Sequence, residues 1–242
     1  MGGEEHPKHA MSRRKIALTA AAVASAAGVI LGWPQGVVRL LRMAFPGLIW
    51  EMPTPERVLA ITFDDGPDPA FTPGVLDILH GHGIPATFFL VGERVRRFPE
   101  LFRRIVEEGH GIGNHSDSWH RTVQLKSDEF ERDLLRAERS LGLGGPCKLF
   151  RPAGGMIRAG QLRLLRKHGY CAVLGSAYAF DPYRPPRRYI EWAIGRALKC
   201  GAILVLHDSG GDRSNTVAAL PAIIQRAQAA GYRFVKLPEY LS

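Results

Sequence analysis

From Arg57 to Lys236 the chain alternates short apolar runs with amphipathic stretches. The runs Arg57 to Phe63, Ala86 to Val91, Gly111 to Asn114, Lys148 to Arg151, Cys171 to Leu174, Ala202 to His207 and Tyr232 to Lys236 read as strands buried on both faces. Between them, Thr72 to His82, Pro99 to Glu108, Ser127 to Gly142, Ala159 to His168, Arg187 to Lys199 and Asn215 to Ala229 carry apolar residues at helical spacing. Several of these stretches end at a glycine, the usual helix stop. Repeated strand–helix units require parallel strands joined by right-handed crossovers. The pattern therefore predicts an α/β fold, a distorted (β/α)7–8 barrel over residues 56–242; a doubly wound open sheet is the other arrangement it allows.

Polar residues gather where these strands end. Asp64 and Asp65 close the first, His115 follows the third, Arg151 ends the fourth and His207 the sixth, with Asp181 in the loop after the fifth. In a parallel barrel all such ends share one pole, where chemistry is placed. Asp65 and His115, with His120 as the natural third member, make a donor set for zinc or a related divalent metal. Asp117 is an alternative ligand. Asp64 is then free to act as base on water, and His207 to act as acid, which together describe metal-assisted hydrolysis of an amide or ester.

Outside the barrel pattern, residues 1–15 are polar and end in Ser12-Arg13-Arg14-Lys15, and residues 16–33 carry no charge. A basic segment before an apolar one predicts a signal peptide or a transmembrane anchor. The preponderance of Lys and Arg before the apolar stretch favours an uncleaved anchor with its N-terminus inside. Residues 34–55 then read as a juxtamembrane linker, with Val37 to Phe45 as a basic amphipathic piece on the membrane surface. The net charge of +9 suits an anionic neighbourhood. The Lys and Arg residues are dispersed and follow no nucleic-acid-binding pattern, so no nucleic acid partner is expected. Cys147, Cys171 and Cys200 are too few and too far apart for a disulfide framework or a cysteine zinc site, though one disulfide with a leftover thiol suits a compartment outside the cytosol.

Four ordered segments carry a resemblance: Thr62-Phe63-Asp64-Asp65-Gly66-Pro67, Gly113-Asn114-His115-Ser116, Phe150-Arg151-Pro152 and Leu204-Val205-Leu206-His207-Asp208. Together they resemble the polysaccharide deacetylases of carbohydrate esterase family four, which share the nodulation-factor deacetylase homology domain. The resemblance spans roughly residues 50–240. It implies a distorted (β/α) barrel holding a divalent metal, usually zinc, with cobalt or another divalent ion as substitutes, and removal of acetyl groups from an N-acetylated glycan of peptidoglycan or chitin type outside the cytosol. Carried over by position, Asp64 is the base, Asp65, His115 and His120 the metal ligands, Arg151 the residue holding the base, and His207 the acid. Asp181 stands where the family has an Asp that tunes the acid. Leu206 lines the acetyl-methyl pocket, and the backbone N–H near Gly154 helps stabilise the oxyanion. A non-catalytic glycan-binding barrel and an amidohydrolase of small non-sugar amides are the competing readings.

Three departures from the family pattern stand out. The family's two histidines are four residues apart, whereas His115 and His120 are five apart. On a regular helix that spacing turns His120 roughly 140° away from His115, so joint ligation requires an irregular turn such as a π-bulge. The family's Arg-Pro-Pro-Tyr-Gly becomes Arg151-Pro152-Ala153-Gly154-Gly155, without its aromatic groove wall. The family's Asp-Trp segment becomes Ala179-Phe180-Asp181-Pro182-Tyr183.

Overall fold

A computed structural model of the chain describes residues 34–45, 47–145 and 147–241. The predicted anchor at 16–33 lies outside the described residues. Eight strands occur in the order β1 (Val58–Asp64), β2 (Thr87–Leu90), β3 (Gly111–Asn114), β4 (Lys148–Phe150), β5 (Tyr170–Ala172), β6 (Ala177–Tyr178), β7 (Ala202–His207) and β8 (Arg233–Phe234). The helices are α1 (Pro34–Ala44), α2 (Thr72–Gly81), α3 (Gly92–Arg97), α4 (Pro99–Glu107), α5 (Ser127–Leu141), α6 (Ala159–Lys167), α7 (Arg187–Gly195), α8 (Ser214–Ala229) and α9 (Pro238–Leu241). The predicted strands and helices are present to within a few residues. The short β6, α3 and α9 were not foreseen, because a two-residue strand and helices of six and four residues are too short to show a period.

All paired strands are parallel, in the sheet order β5-β4-β3-β2-β1-β7-β6. β8 pairs with Val58 and Leu59, beside the part of β1 that β2 leaves uncovered. The curved sheet is thus a half-barrel, open between β5 and β6. The chain preceding β1 spans that opening. Ile49 bridges to Val173, Glu51 bridges to Ala202, and Met52 N–H donates to the Gly201 carbonyl at 2.8 Å. The barrel unit therefore includes residues from Leu48 onward, some of the stretch that reads as a linker in the sequence. The Cys147–Cys171 disulfide joins the start of β4 to β5, and Cys200 is free and exposed.

Alternation along the central strand sorts its side chains. Leu59, Ile61 and Phe63 face the helices, where they pack with Leu76, Leu79, Ile105, Leu204, Leu206 and Ile223. Ala60 packs inside with Phe89, Leu149, Val173, Ile203 and Val235. Thr62 and Asp64 share that inner side toward the carboxyl end. Burying each large aliphatic or aromatic side chain in these layers stabilises the fold by ~1.5–3 kcal/mol. The polar pole is consequently held on a dry, close-packed floor.

One floor contact depends on a missing side chain. A Cβ on Gly113 of β3 would lie 2.4 Å from the Phe89 ring, and the Phe89 ring in turn lies 3.9 Å from the Arg151 guanidinium carbon. Gly113→Ala is predicted to lower stability by ~1–3 kcal/mol through overpacking, measured by urea unfolding, because neither the ring nor the buried arginine on it has room to retreat.

Candidate active site

Adjacent residues on a strand point to opposite faces, so Asp64 and Asp65 can serve one site only if the chain turns between them. It does. Asp64 is the last residue of β1, and Asp65 sits at φ 76°, in the left-handed region that is strained for a non-glycine residue. Ser116, directly after His115, has φ 75°. Both unusual conformations flank the same site and turn Asp65 and His115 toward each other, with His115 Nε2 3.3 Å from Asp65 Oδ1.

Arg151 organises the other carboxylate. It is 2% exposed, and its Nη1 donates to Asp64 Oδ1 and to Thr62 Oγ1, each at 2.6 Å. Nη2 donates to the Leu174 carbonyl at 2.6 Å. Asp64 is itself buried, and among the described residues only its Oδ1 is hydrogen-bonded. Opposite β1, His207 ends β7 in register with Asp64. Its Nδ1 lies 2.9 Å from Asp181 Oδ1, and its backbone N–H donates to Asp181 Oδ2 at 2.8 Å. Burial opposes a charge on His207, but the charge and hydrogen bond of Asp181, with Asp64 and Asp65 beyond, raise its pKa to about 9. His207 is therefore a cation at neutral pH, with Nδ1 committed to Asp181 and a proton available on Nε2.

The Asp65–His115 pair has the chemistry of a metal site. The Arg151 carbonyl accepts the Nδ1–H of His115 at 2.7 Å, so that in the neutral ring Nε2 keeps a lone pair on the Asp65 side; burial opposes the charged ring, but the Asp65 hydrogen bond raises the His115 pKa. Ligand arms of ~2.0–2.1 Å at the tetrahedral angle separate two donor atoms by ~3.3 Å, so the pair fits as two ligands of one divalent ion. Burial works against the Asp65 charge, yet His115, His207 and Arg213 hold its carboxyl below the ordinary range. Among the described residues no third His, Cys, Asp or Glu joins them. His120 is exposed, its Nδ1 3.0 Å from Ser118 Oγ, beside a cavity against α5. Asp117 is occupied by the guanidinium groups of Arg96 and Arg136, at 2.5 and 3.1 Å. Trp119, four residues after His115, is the side chain that reaches the Asp65 rim.

The remaining expected residues are placed as follows. Leu206 packs among the helices, on the opposite side of β7 from His207. Period-two alternation puts Val205, not Leu206, on the His207 side; that signal was available in the sequence. Gly154 lies in the turn after β4 at φ 75°, and its N–H makes no hydrogen bond among the described residues, whereas those of Ala153 and Gly155 bond Thr122 and Pro152. Besides Trp119, two residues were missed. Asp208 is fully buried beneath the Asp65 turn, accepting from Thr72 Oγ1 at 2.6 Å, and burial with the nearby Asp65 charge raises its pKa to about 7. Gly66 makes this approach feasible, since a Cβ there would meet Asp208 Oδ1 at 2.6 Å. Arg213, also buried, donates to the carbonyls of Ser209, Gly210 and Asp181 at 2.6, 2.7 and 3.1 Å, tying the loop after β7 to the Asp181 turn.

Fold and site together define a parallel α/β half-barrel protein with an arginine-held carboxylate, an aspartate-held imidazole and a carboxylate–imidazole pair at the carboxyl pole. The family model for polysaccharide deacetylase matches residues 51–173. A peptidoglycan-N-acetylglucosamine deacetylase of Bacillus cereus is 42% identical over 198 residues, covering 79% of this chain and 92% of that protein. A chitooligosaccharide deacetylase of Bradyrhizobium sp. is 36% identical, covering 76% and 90%. The crystal structure of the Bc1960 peptidoglycan N-acetylglucosamine deacetylase, in complex with a naphthalenyl-N-oxidanyl-benzamide, superposes with a TM-score of 0.77 at 33% identity, covering 81% of this chain and 92% of that one. The chain belongs to the polysaccharide deacetylase family.

The His207–Asp181 pair gives a pH signature. With a pKa near 9, His207 loses its proton on the alkaline side, so the rate of any reaction needing it as acid falls through about pH 9. Asp181→Asn removes the leading cause of the upward shift, and the alkaline limb of kcat/KM is predicted to move down toward the ordinary histidine range, ~6.5. An alkaline limb unchanged in the variant contradicts this assignment.

Proposed function

We propose that this chain is a metal-dependent hydrolase that removes acetyl groups from an N-acetylated glycan of peptidoglycan or chitin type, acting outside the cytosol. The observation carrying this reading is the pairing, across one pole, of an Arg151-held Asp64 with an Asp181-held His207, beside the Asp65–His115 pair. The named relatives support the choice of glycan.

Asp65 and His115 are the proposed metal ligands. The resemblance makes His120 the third protein ligand, but it is exposed with Nδ1 on Ser118 Oγ, so Asp65 and His115 are the two ligands that this chain presents together. Zinc or a similar divalent ion supplies Lewis acidity at the acetyl carbonyl. The chain's own residues do the rest. Asp64, fixed by Arg151, takes the proton of the attacking water as its oxygen bonds to the acetyl carbon. The N–H near Gly154 faces the negative charge that develops on the carbonyl oxygen. His207 Nε2 gives its proton to the sugar nitrogen as the carbon–nitrogen bond breaks. Acetate and a free amino sugar leave, and one water is consumed.

The reading also places the chain at a membrane. Among the described residues no helix is long and apolar enough to cross one, but α1 follows the charge-free stretch 16–33 directly. α1 buries Val38 against Leu48 and Trp50, and leaves Leu40 and Met43 exposed at 66% and 76%, with Leu41 and Phe45 beside them. The proposed anchor would set this face and Arg39 on an anionic lipid surface. Phosphatidylglycerol vesicles are predicted to slow amide exchange in α1 of the full chain several-fold, and Leu40→Glu with Met43→Glu to abolish that protection; exchange in α1 unchanged by vesicles contradicts the contact.

The catalytic assignment is tested with acetate release from N-acetylglucosamine oligomers and with zinc affinity measured by calorimetry. Asp64→Asn is predicted to reduce turnover at least ~100-fold while zinc affinity holds. His115→Ala is predicted to lose zinc, and His120→Ala to weaken it less. Full activity in Asp64→Asn contradicts the base assignment. Acetate release only from small non-sugar amides contradicts the glycan reading.

A further inference from the structure

A singly exposed apolar side chain needs no explanation by itself; what sets one apart is a fixed position beside a polar site. Trp119 is one: it is 52% exposed and borders the site rather than the core. A Cβ on Gly210 would lie 2.9 Å from Trp119 Cη2 and 2.9 Å from Asp65 Oδ2. The indole edge and the Asp65 carboxylate therefore converge on the same small volume, at the loop that follows β7.

The ring is also held. The Arg94 guanidinium carbon lies 5.5 Å from the ring centroid of Trp119, a cation–π contact. Arg94 is fixed in turn, donating from Nε to the Pro67 carbonyl at 2.8 Å and pairing with Asp68. Both partners belong to the turn that follows Asp65. The indole is thus clamped to the Asp65 turn through Arg94 and reaches the β7 loop at its far edge, while half of the residue's surface stays in water. A surface aromatic fixed before binding loses little conformational freedom on binding.

The chemistry that suits such a ring is a pyranose. One face of a sugar ring presents C–H groups, which pack on an indole, while its hydroxyl edges remain in water; Trp offers the same combination of an apolar body and a polar tip. The neighbouring turn after β4, which packs against Arg121 and Thr122, is Ala153-Gly154-Gly155 and supplies no aromatic ring. We infer that Trp119 is the sugar-stacking platform of this chain, binding a pyranose ring of the glycan against the Asp65 rim and thereby setting the preference for oligomeric over monomeric substrates. This rests on the glycan reading above.

The test is binding first, then turnover. Calorimetry with the N-acetylglucosamine pentamer and the full chain is compared among the unsubstituted protein, Trp119→Ala and Trp119→Phe. Expected are at least ~10-fold weaker binding for Trp119→Ala, partial recovery for Trp119→Phe, and a matching rise in KM for the pentamer with kcat changed less than ~3-fold. Circular dichroism and zinc affinity equal to those of the unsubstituted chain show that the loss is not misfolding. Equal affinity in Trp119→Ala and the unsubstituted chain overturns the inference, as does absence of pentamer binding by the unsubstituted chain. Pentamer binding that depends on Trp119 without acetate release upholds the platform and counts against the hydrolase. Acetate release that ignores Trp119 does the reverse.

Discussion

The site depends on a buried arginine. Arg151 joins Thr62 and Asp64 of β1 to the Leu174 carbonyl beyond β5, and it lies flat on Phe89 of β2. Its own carbonyl accepts the His115 proton that sets the imidazole tautomer. One residue therefore connects the proposed base, the proposed metal ligand and several strands of the sheet. A guanidinium suits this position because its planar fork presents several donors while its face rests on an aromatic ring. An ion pair this deeply buried gives little net stability against apolar side chains of the same shape, yet removing one partner alone costs ~3–5 kcal/mol. The arrangement is better understood as positioning a carboxylate than as stabilising a fold.

Around that link, strain and charge are distributed by role. Asp65 and Ser116 hold left-handed backbone conformations that persist because the buried turns around them are over-determined. Asp208 beneath Gly66 and Arg213 behind Gly210 support the two loops from below. Asp64 and His207 are neighbours in register on β1 and β7, but each has its own oppositely charged partner. Arg151 faces the Asp64 carboxylate and Asp181 the His207 imidazole. These separate partners are what the proposed roles require, a carboxylate as base and an imidazolium as acid at the same pH.

Much of this was legible in the sequence, for physical reasons. Strands of a parallel barrel are buried on both faces, so they appear as apolar runs, and their shared direction places each run's last polar residue at one pole. Asp64, Asp65, His115, Arg151 and His207 could all be found that way. Asp181 came from loop position and resemblance. What the sequence hid was irregular backbone. Trp119 and His120 sit in a turn with no period, so spacing alone could not tell which one would reach Asp65. Leu206 and Val205 were separable by alternation along β7, yet the resemblance drew attention to the wrong neighbour for the inner face. Asp208 and Arg213 looked like loop residues because nothing local in a sequence reports burial of a charge. The segment Leu48 to Met52 reads as a linker, since its partners β5 and β7 lie more than a hundred residues away.

The central claim is that Arg151 and Asp64 act as one unit. A double-mutant cycle on unfolding free energy with Asp64→Asn, Arg151→Met and the double variant measures it directly. A coupling of ~1–3 kcal/mol, with the double variant less destabilised than the sum of the two single changes, is the predicted result. Additive losses would mean that the arginine and the aspartate are independent, and would contradict the account.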